Sequence, residues 1–307
     1  MKYRLLGKTG LKVSVIGMGT WQFGGEWGKT FTQDEVTAML AAAREQGINL
    51  LDTAECYGDH VSESLLGAAI GGGSIGRRED WIIATKFGHV FHGHLNRTDA
   101  RSAADVSTQL DASLRALKTD YIDLYQYHSI RDSEFDNQEL RKTLEKAVQN
   151  GKVRHLGNSI SNSGAAGDGS YQTDASEAAQ VEAIQVVYNR LDRKPEARVL
   201  PSCQKQNLGV MARVPLASGF LSGKYKSGKT TQATFAPGDV RSSHDPEKMA
   251  ARLKEVEQIQ STEVPPGVEM SQWALAWCLR HPAVTCVIPG CKNVRQVIDN
   301  ARAAEIS

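Results

Sequence analysis

Residues 49–58 of this 307-residue chain read Asn49-Leu50-Leu51-Asp52-Thr53-Ala54-Glu55-Cys56-Tyr57-Gly58. A short apolar run ends in the carboxylate of Asp52, and the phenol of Tyr57 follows five residues later. If the apolar run is a buried strand in a barrel of alternating strands and helices, both groups lie at its C-terminal end, where such barrels place their chemistry. Taken alone, the stretch also fits a second interpretation, in which Asp52 caps the next helix and Tyr57 packs as an ordinary aromatic.

Strand-like and helix-like segments alternate along the rest of the chain. The predicted strands are residues 15–17, 50–52, 81–85, 121–127, 153–157, 183–187, 209–212 and 284–288. The predicted helices are residues 33–46, 62–70, 101–117, 138–149, 174–180, 197–206, 246–260, 271–280 and 294–304. Before them, residues 3–6 and 12–15 flank a turn and predict a β-hairpin. Eight strand–helix units predict a single α/β domain over residues 1–307, a (β/α)8 TIM barrel with an N-terminal β-hairpin.

Two phosphate-binding motifs are excluded. The run Gly17-Met18-Gly19 opens like a dinucleotide fingerprint, but it lacks the third glycine and no helix begins there. Residues 71–76 are rich in glycine but lack the Lys-Ser/Thr pair of a phosphate loop. An open doubly wound sheet is therefore disfavoured.

Composition narrows the possible partners. The 36 basic and 35 acidic residues leave a formal charge of +1, which argues against nucleic acid or an anionic membrane as a partner. The five cysteines show no paired spacing, which fits a reducing, cytoplasmic location. The N-terminus is too polar for a signal peptide, and no apolar run approaches the ~20 residues of a membrane span. A monomer is the default expectation.

Polar side chains follow three successive predicted strands. They are Asp52 and Tyr57 after the second strand, Lys86 after the third and His128 after the fourth. Alone, Lys86 fits a solvated charge and His128 a hydrogen-bonded core imidazole. Together they describe a site in which a lysine, held by Asp52, stabilises the phenolate form of Tyr57 while His128 donates a hydrogen bond to a carbonyl oxygen.

This pattern resembles the aldo-keto reductase family, in the bacterial-type branch that also includes potassium-channel β-subunit-like proteins. The resemblance runs from Lys8 to nearly the last residue, and the family's catalytic Asp, Tyr, Lys and His correspond to Asp52, Tyr57, Lys86 and His128. Further matching motifs are Leu51-Asp52-Thr53-Ala54, Tyr57-Gly58, Ser62-Glu63, Leu66-Gly67, residues 112–128, Gly151-Lys152-Val153-Arg154 and residues 219–225.

The resemblance implies a nicotinamide cofactor that lies across the barrel mouth and a small-molecule carbonyl substrate. It implies an NADPH-dependent oxidoreductase that reduces aldehydes, with ketones and dicarbonyls as further candidates, and with Tyr57 as general acid. A nicotinamide-nucleotide-binding regulatory subunit with little turnover is the alternative. The cofactor contacts that the resemblance implies are Gly19, Thr20, Trp21, Asp52, Ser159, Gln185, Arg213, Leu216, Ser218 and Gly219. For Thr20 and Ser218, ordinary turn chemistry is the alternative.

The chain departs from the family pattern at two cofactor positions. Where the family usually has Gly-Val-Ser-Asn, this chain has Gly157-Asn158-Ser159-Ile160, so that Asn158 or Asn189 would have to supply the amide contact. Where a tyrosine often stacks under the nicotinamide, this chain has Arg213, whose planar guanidinium can also stack but adds a fixed charge.

The cofactor's adenosine end is expected after the eighth strand, where a helix N-terminus favours an anion. The residues implied there are Gly290, Lys292, Arg295, Gln296 and Asn300. The family's lysine and arginine fall on Gly290 and Gln296, but Lys292 and Arg295 remain within a turn. We therefore favour NADP over NAD, with the two cations clasping the 2′-phosphate.

A run of three histidines, His89, His92 and His94, prompts a metal hypothesis. No cysteine or acidic residue shares their segment, so no metal site is expected, and a substrate-facing loop is favoured. Substrate specificity is expected to lie in the loops 24–31, 88–98 and 218–244. The sequence ends soon after its last predicted helix, without the long C-terminal loop of some relatives, which predicts an open pocket.

Overall fold

The computed structural model describes residues 1–73, 75–161 and 168–306. The chain begins with an antiparallel hairpin of β1 (Tyr3–Leu5) and β2 (Lys12–Ser14). Leu6 and Val13 of this hairpin belong to the same buried cluster as Leu50 and Leu124 of the barrel interior. The predicted hairpin therefore closes one end of the barrel and leaves the other end open for the site.

Ten further strands follow within the described residues. They are β3 (Met18–Gly19), β4 (Leu50–Asp52), β5 (Ile82–Phe87), β6 (His89–Gly93), β7 (Asn96–Asp99), β8 (Ile122–His128), β9 (Val153–Ser159), β10 (Val181–Val187), β11 (Gly209–Arg213) and β12 (Cys286–Val287). Eight of them form one parallel sheet in the order β12-β11-β10-β9-β8-β5-β4-β3. Backbone hydrogen bonds from Gly17 N to Val287 O (2.8 Å) and from Gly19 N to Pro289 O (3.0 Å) join its two edges. The predicted (β/α)8 barrel is confirmed.

The helices lie between and after these strands. They are α1 (Gln33–Glu45), α2 (Val61–Gly71), α3 (Ala103–Leu117), α4 (Asp132–Phe135), α5 (Gln138–Gln149), α6 (Ser170–Asp174), α7 (Val199–Gln206), α8 (Pro246–Thr262), α9 (Met270–Leu279), α10 (Val294–Ala301) and α11 (Ala303–Ile306). Local signals set their starts: Thr32 and Glu35 form a capping box at α1, and the Asn293 side chain accepts a hydrogen bond from Gln296 N at α10. Among the described residues, no helix combines the length and apolar character of a membrane span.

Three sequence predictions were wrong in detail. The first barrel strand is Met18–Gly19 rather than residues 15–17, which instead reach Val287 through one isolated bridge at Ile16. The fifth helix lies at Ser170–Asp174 rather than residues 174–180, where the chain instead forms turns and reaches the left-handed region at Gln180 (φ 54°). The segment predicted as a loop near His89 is the antiparallel hairpin β6–β7.

Candidate active site

Asp52 and Lys86 form a buried ion pair at the open end of the barrel. They end neighbouring strands, β4 and β5, and Lys86 Nζ lies 2.8 Å from Asp52 Oδ2 and 2.7 Å from the carbonyl oxygen of Thr53. The side chain of Lys86 is fully buried. Burial, the largest single effect, lowers the pKa of Lys86, but the charges of Asp52 and Tyr57 and the hydrogen bonds to them together outweigh it, so the pKa is raised and the ammonium is retained.

The carboxylate of Asp52 has two further partners. Gln185 Nε2, from β10, donates to Asp52 Oδ1 at 2.6 Å, and Gln126 Nε2, from β8, donates to the same oxygen at 3.3 Å. These two amides hold the oxygen that does not bind Lys86. The buried charge is therefore satisfied on both oxygens, as a buried ion pair requires.

Tyr57 directs its phenol at the same ammonium group. Lys86 Nζ donates to the Tyr57 hydroxyl at 3.2 Å, and the Trp21 ring stacks near the Tyr57 ring with centroids 6.1 Å apart. Burial raises the pKa of Tyr57 to about 12, although the charge of Lys86 acts in the opposite direction. At neutral pH the phenol is a proton donor whose conjugate base has a cation beside it.

His128 ends β8 and faces Tyr57 edge-on, with ring centroids 6.2 Å apart. Burial and the nearby cationic side chains hold the pKa of His128 well below its ordinary value. The imidazole is therefore neutral at pH 7 and carries one N–H to donate. Asp52, Tyr57, Lys86 and His128, which the sequence placed after three strands, are brought together by the structure.

Close backbone contact fixes the loop that carries Tyr57. Gly58 has a positive φ of 69°, and an added Cβ there would lie 2.6 Å from Gly24 O. Only glycine fits this approach without displacement of the backbone. Behind the loop, the Ser62 hydroxyl donates to Thr20 Oγ1 at 2.9 Å, and Thr85 Oγ1 donates to the buried carboxylate of Glu63 at 2.6 Å.

The three residues after β3 border the site. A Cβ atom added at Gly19 would lie only 2.8 Å from the carbonyl oxygen of Ile288. Thr20 donates its hydroxyl to the carbonyl oxygen of Asp52 at 2.9 Å, and Trp21 donates its indole N–H to Glu26 at 2.5 Å. The hydroxyl of Thr20 is thus occupied within the protein.

Gln185 bonds to Asp52 of the tetrad, and Ser159 bonds to Gln185. Ser159 Oγ donates to Gln185 Oε1 at 3.3 Å across the paired ends of β9 and β10. The two candidate substitutes for the missing asparagine have other partners: Asn158 Nδ2 donates to Gln172 at 2.9 Å, and Asn189 Nδ2 donates to Val214 O at 3.0 Å.

Arg213 ends β11 and turns its guanidinium toward β9. Its NH2 donates to the carbonyl oxygen of Ile160 at 3.0 Å, whereas its buried Nε has no protein partner among the described residues. The chain beyond it, which includes Leu216, contains three consecutive residues with positive φ, Ala217 (48°), Ser218 (57°) and Gly219 (92°). Such conformations cluster at ligand sites, where the surrounding fold maintains the strain.

The residues after β12 lie apart from the tetrad. Of the two cationic side chains there, Lys292 is bonded within the protein and Arg295 is exposed. Lys292 Nζ donates to Trp27 O at 2.6 Å and lies 3.3 Å from Asp239 Oδ2, so it joins two loops of the mouth. The side chain of Arg295 is 90% exposed. The remaining residues at this end are Gly290, which packs against the Gln22 side chain, Gln296, which accepts from Lys292 N at 2.8 Å, and Asn300, which is buried against Cys291.

Sequence reasoning missed several polar groups around the site. Glu26 is buried and binds the β6–β7 hairpin through Arg97 and through Leu95 N, which donates at 3.0 Å. Arg97 in turn donates to the carbonyl oxygen of Cys56 at 3.2 Å. The hairpin is therefore attached to the loop that carries Tyr57. No local sequence signal links these groups, because they are 41 to 71 residues apart.

The mouth has features that fit a nicotinamide cofactor. The Nε of Arg213 is a buried donor without a partner in the described part of the chain, the amide of Gln185 bonds to Asp52, and the hydroxyl of Ser159 bonds to Gln185. The carboxamide of a nicotinamide ring needs donors and acceptors of this kind. We conclude that the residues present are chemically suited to hold such a ring.

Comparison with known proteins points to one family. Residues 15–307 match the model of the aldo/keto reductase family. The chain is 33% identical over 313 residues to the aldo-keto reductase YhdN of Bacillus subtilis, covering 97% of this chain and 87% of the relative. It is also 28% identical to a probable voltage-gated potassium channel subunit beta of rice (Oryza sativa subsp. japonica), covering 100% and 92% of the two chains.

Solved structures give the same result. The holo form of the aldo-keto reductase AKR11C1 from Bacillus halodurans matches with a TM-score of 0.81 and 28% identity, covering 100% of this chain and 92% of that one. The glycerol dehydrogenase AKR11B4 from Gluconobacter oxydans matches with a TM-score of 0.77 and 29% identity, covering 98% and 89%.

Proposed function

The chain belongs to the aldo-keto reductase family, and from this membership we propose that it is an NADPH-dependent reductase of aldehydes, with ketones and dicarbonyls as further candidate substrates. One observation carries the proposal: a continuous series of contacts runs from Asp52 through Lys86 to the hydroxyl of Tyr57, with neutral His128 facing the same phenol. This arrangement is suited to polarising a carbonyl and protonating its oxygen.

The proton is proposed to move from Tyr57. When bound, the reduced nicotinamide supplies the hydride that reaches the carbonyl carbon. The Tyr57 hydroxyl gives its proton to the carbonyl oxygen, and the phenolate that remains lies beside the Lys86 ammonium. His128 donates its single N–H to the same oxygen as negative charge develops there. Asp52 holds Lys86 in place through the buried ion pair.

We propose that Ser159, Gln185 and Arg213 hold the nicotinamide carboxamide and ring. At the adenosine end we propose NADP rather than NAD, because the exposed Arg295 side chain lies in the first turn of α10, where a phosphate is favoured. Arg295→Ala is expected to weaken NADPH binding about tenfold, the scale of one charge-assisted contact, and to leave NADH binding unchanged. Fluorescence titration with both nucleotides measures this, and equal effects would contradict the 2′-phosphate contact.

Tyr57→Phe tests the general acid directly. We expect turnover of simple aldehydes to fall by about 100-fold or more, the scale for loss of a general acid, while the dissociation constant for NADPH changes little. The matched control is Tyr171→Phe, which removes the hydroxyl of an exposed tyrosine bonded to Asp136. If Tyr57→Phe retains nearly full turnover while correctly folded, the assigned acid is wrong.

A regulatory subunit with little turnover is the second candidate, favoured by the similarity to potassium channel β-subunits of rice and Arabidopsis. The two candidates differ in one measurement. An enzyme consumes NADPH steadily across at least some members of an aldehyde, ketone and dicarbonyl panel. A regulatory protein binds the nucleotide with comparable affinity but shows no sustained consumption.

A further inference from the structure

Four side chains of metal-binding type meet beside the tetrad. Glu55 and Cys56 come from the loop after β4, His89 begins β6, and His128 ends β8. One ligand atom from each residue lies within 4.8 Å of the corresponding atom of every other. A carboxylate oxygen, a thiol sulfur and two imidazole nitrogens are a set of donors that zinc accepts in proteins.

Two of the distances within this group, which we call the Glu55 cluster, are close to those of a tetrahedral site. Cys56 Sγ lies 3.7 Å from His128 Nδ1, and Glu55 Oε1 lies 3.8 Å from His89 Nδ1. With the usual zinc–sulfur and zinc–nitrogen bond lengths, neighbouring ligand atoms of a tetrahedron are about 3.3 to 3.6 Å apart. A contraction of a few tenths of an ångström along these two edges would bring the atoms to that spacing.

Two atoms of the Glu55 cluster lack the partner that burial normally demands. Glu55 is 3% exposed, yet its Oε2 accepts no hydrogen bond from the described residues, and the buried His89 Nδ1 is equally without a hydrogen-bond partner there. Leaving such atoms unpaired costs about 1 to 3 kcal/mol each. Their position in a group of four donors indicates that a ligand completes the site.

Both carboxylates and cationic side chains lie around the Glu55 cluster. Asp99 Oδ1 lies 3.8 Å from His89 Nε2 and 2.9 Å from Arg101 NH2, which itself lies 3.4 Å from the same imidazole nitrogen. Two guanidinium groups border the site, but Arg97 is paired with buried Glu26 and Arg101 with Glu134, which lies 2.6 Å away. The two histidines are only partly buried, which gives an ion a path from the mouth.

We propose that Glu55, Cys56, His89 and His128 bind one Zn²⁺ ion, in a site next to the proposed catalytic groups. The ion takes an oxygen of Glu55, the sulfur of Cys56 and one nitrogen from each imidazole. The thiol proton is released to the buffer as the zinc–sulfur bond forms. The three segments that carry these residues are joined by the ion, which ties the β6–β7 hairpin to the loop of Tyr57.

The test is metal binding by the full-length chain and does not use carbonyl reduction, so it is independent of the proposed function. Isothermal titration with Zn²⁺ is expected to show one site per chain. Titration with Co²⁺ is expected to give the near-ultraviolet absorption of a thiolate–cobalt bond, which added Zn²⁺ removes. Cys56→Ser should abolish this absorption and weaken zinc binding by at least about 100-fold, because loss of even an outer partner costs 10- to 100-fold.

Glu55→Gln keeps the size of the side chain and should weaken zinc binding as well, so the proposal does not rest on one variant whose folding fails. Two controls match the substitutions: Cys203→Ser changes a buried cysteine on α7, and His92→Ala removes an imidazole outside the Glu55 cluster. Both should bind zinc like the wild type, and circular dichroism checks the fold of each variant. The proposal is overturned if the wild type takes up no zinc, if the cobalt–thiolate absorption persists in Cys56→Ser, or if either control loses binding.

Discussion

Replacement of Lys86 by methionine removes the cation on which the proposed proton transfer depends. The ammonium group lies 3.2 Å from the Tyr57 hydroxyl and is fully buried. At an effective dielectric constant of about 20, two unit charges at that distance interact by roughly 5 kcal/mol. If the phenol carries about half a negative charge in the transition state, the loss is about 2.5 kcal/mol, or roughly a 70-fold decrease in kcat.

The same substitution leaves Asp52 without its ionic partner. Breaking a buried pair from one side costs about 3 to 5 kcal/mol, and the amides of Gln126 and Gln185 still hold the other carboxylate oxygen, so we expect the lower end of this range. Steady-state kinetics with a simple aldehyde and urea denaturation measure the two effects. Lys152→Met is the matched control, because this lysine lies on the surface beside Asp111. A folded Lys86→Met protein with wild-type kcat would refute the reasoning.

Two further substitutions test groups that border the site. Arg213→Met removes the buried donor Nε and is expected to raise the dissociation constant of NADPH about tenfold, the scale of one hydrogen bond from a charged group. If fluorescence titration gives an unchanged dissociation constant, Arg213 does not contribute to cofactor binding. Glu26→Gln removes the carboxylate that binds Arg97 and Leu95 N, and the free energy of unfolding should fall by about 2 kcal/mol. A thermal midpoint equal to that of the wild type would show that other contacts hold the β6–β7 hairpin.

The barrel could be predicted from the sequence because its pattern repeats eight times. Each strand is short and apolar, each helix shows an apolar face, and the polar residue that ends a strand marks the open end of the barrel. The hairpin β6–β7 could not be predicted in this way. Its apolar residues Val90 and Leu95 are 43% and 40% exposed and no residue of its two strands is fully buried, so it is held instead by Glu26. A contact 69 residues away leaves no periodic signal.

The candidate site likewise contains residues whose position the sequence predicts and residues whose position it does not. Asp52, Lys86 and His128 end neighbouring strands, so topology alone brings them together. The polar groups around these three residues depend on contacts between segments that are distant in the sequence. Gln126 faces Asp52 from within β8, and Lys292 bonds to Trp27 and Asp239 from two different loops. Such pairings are decided by how the loops pack, and the sequence shows only that the side chains are polar.

The expectation of no metal site at the histidine run considered only the residues next to these histidines in the sequence. It did not consider side chains that come from distant segments. The segment of His89 contains neither a cysteine nor an acidic residue, and His92 and His94 do not join the Glu55 cluster. The missing donors come from the adjacent residues Glu55 and Cys56, which precede Tyr57 in a loop held by the contact of Gly58 with Gly24. One short loop therefore carries both the proposed acid and two proposed metal ligands. Because His128 faces Tyr57 on one side and Cys56 on the other, an ion in the Glu55 cluster would contact the same imidazole that we propose acts on the carbonyl oxygen.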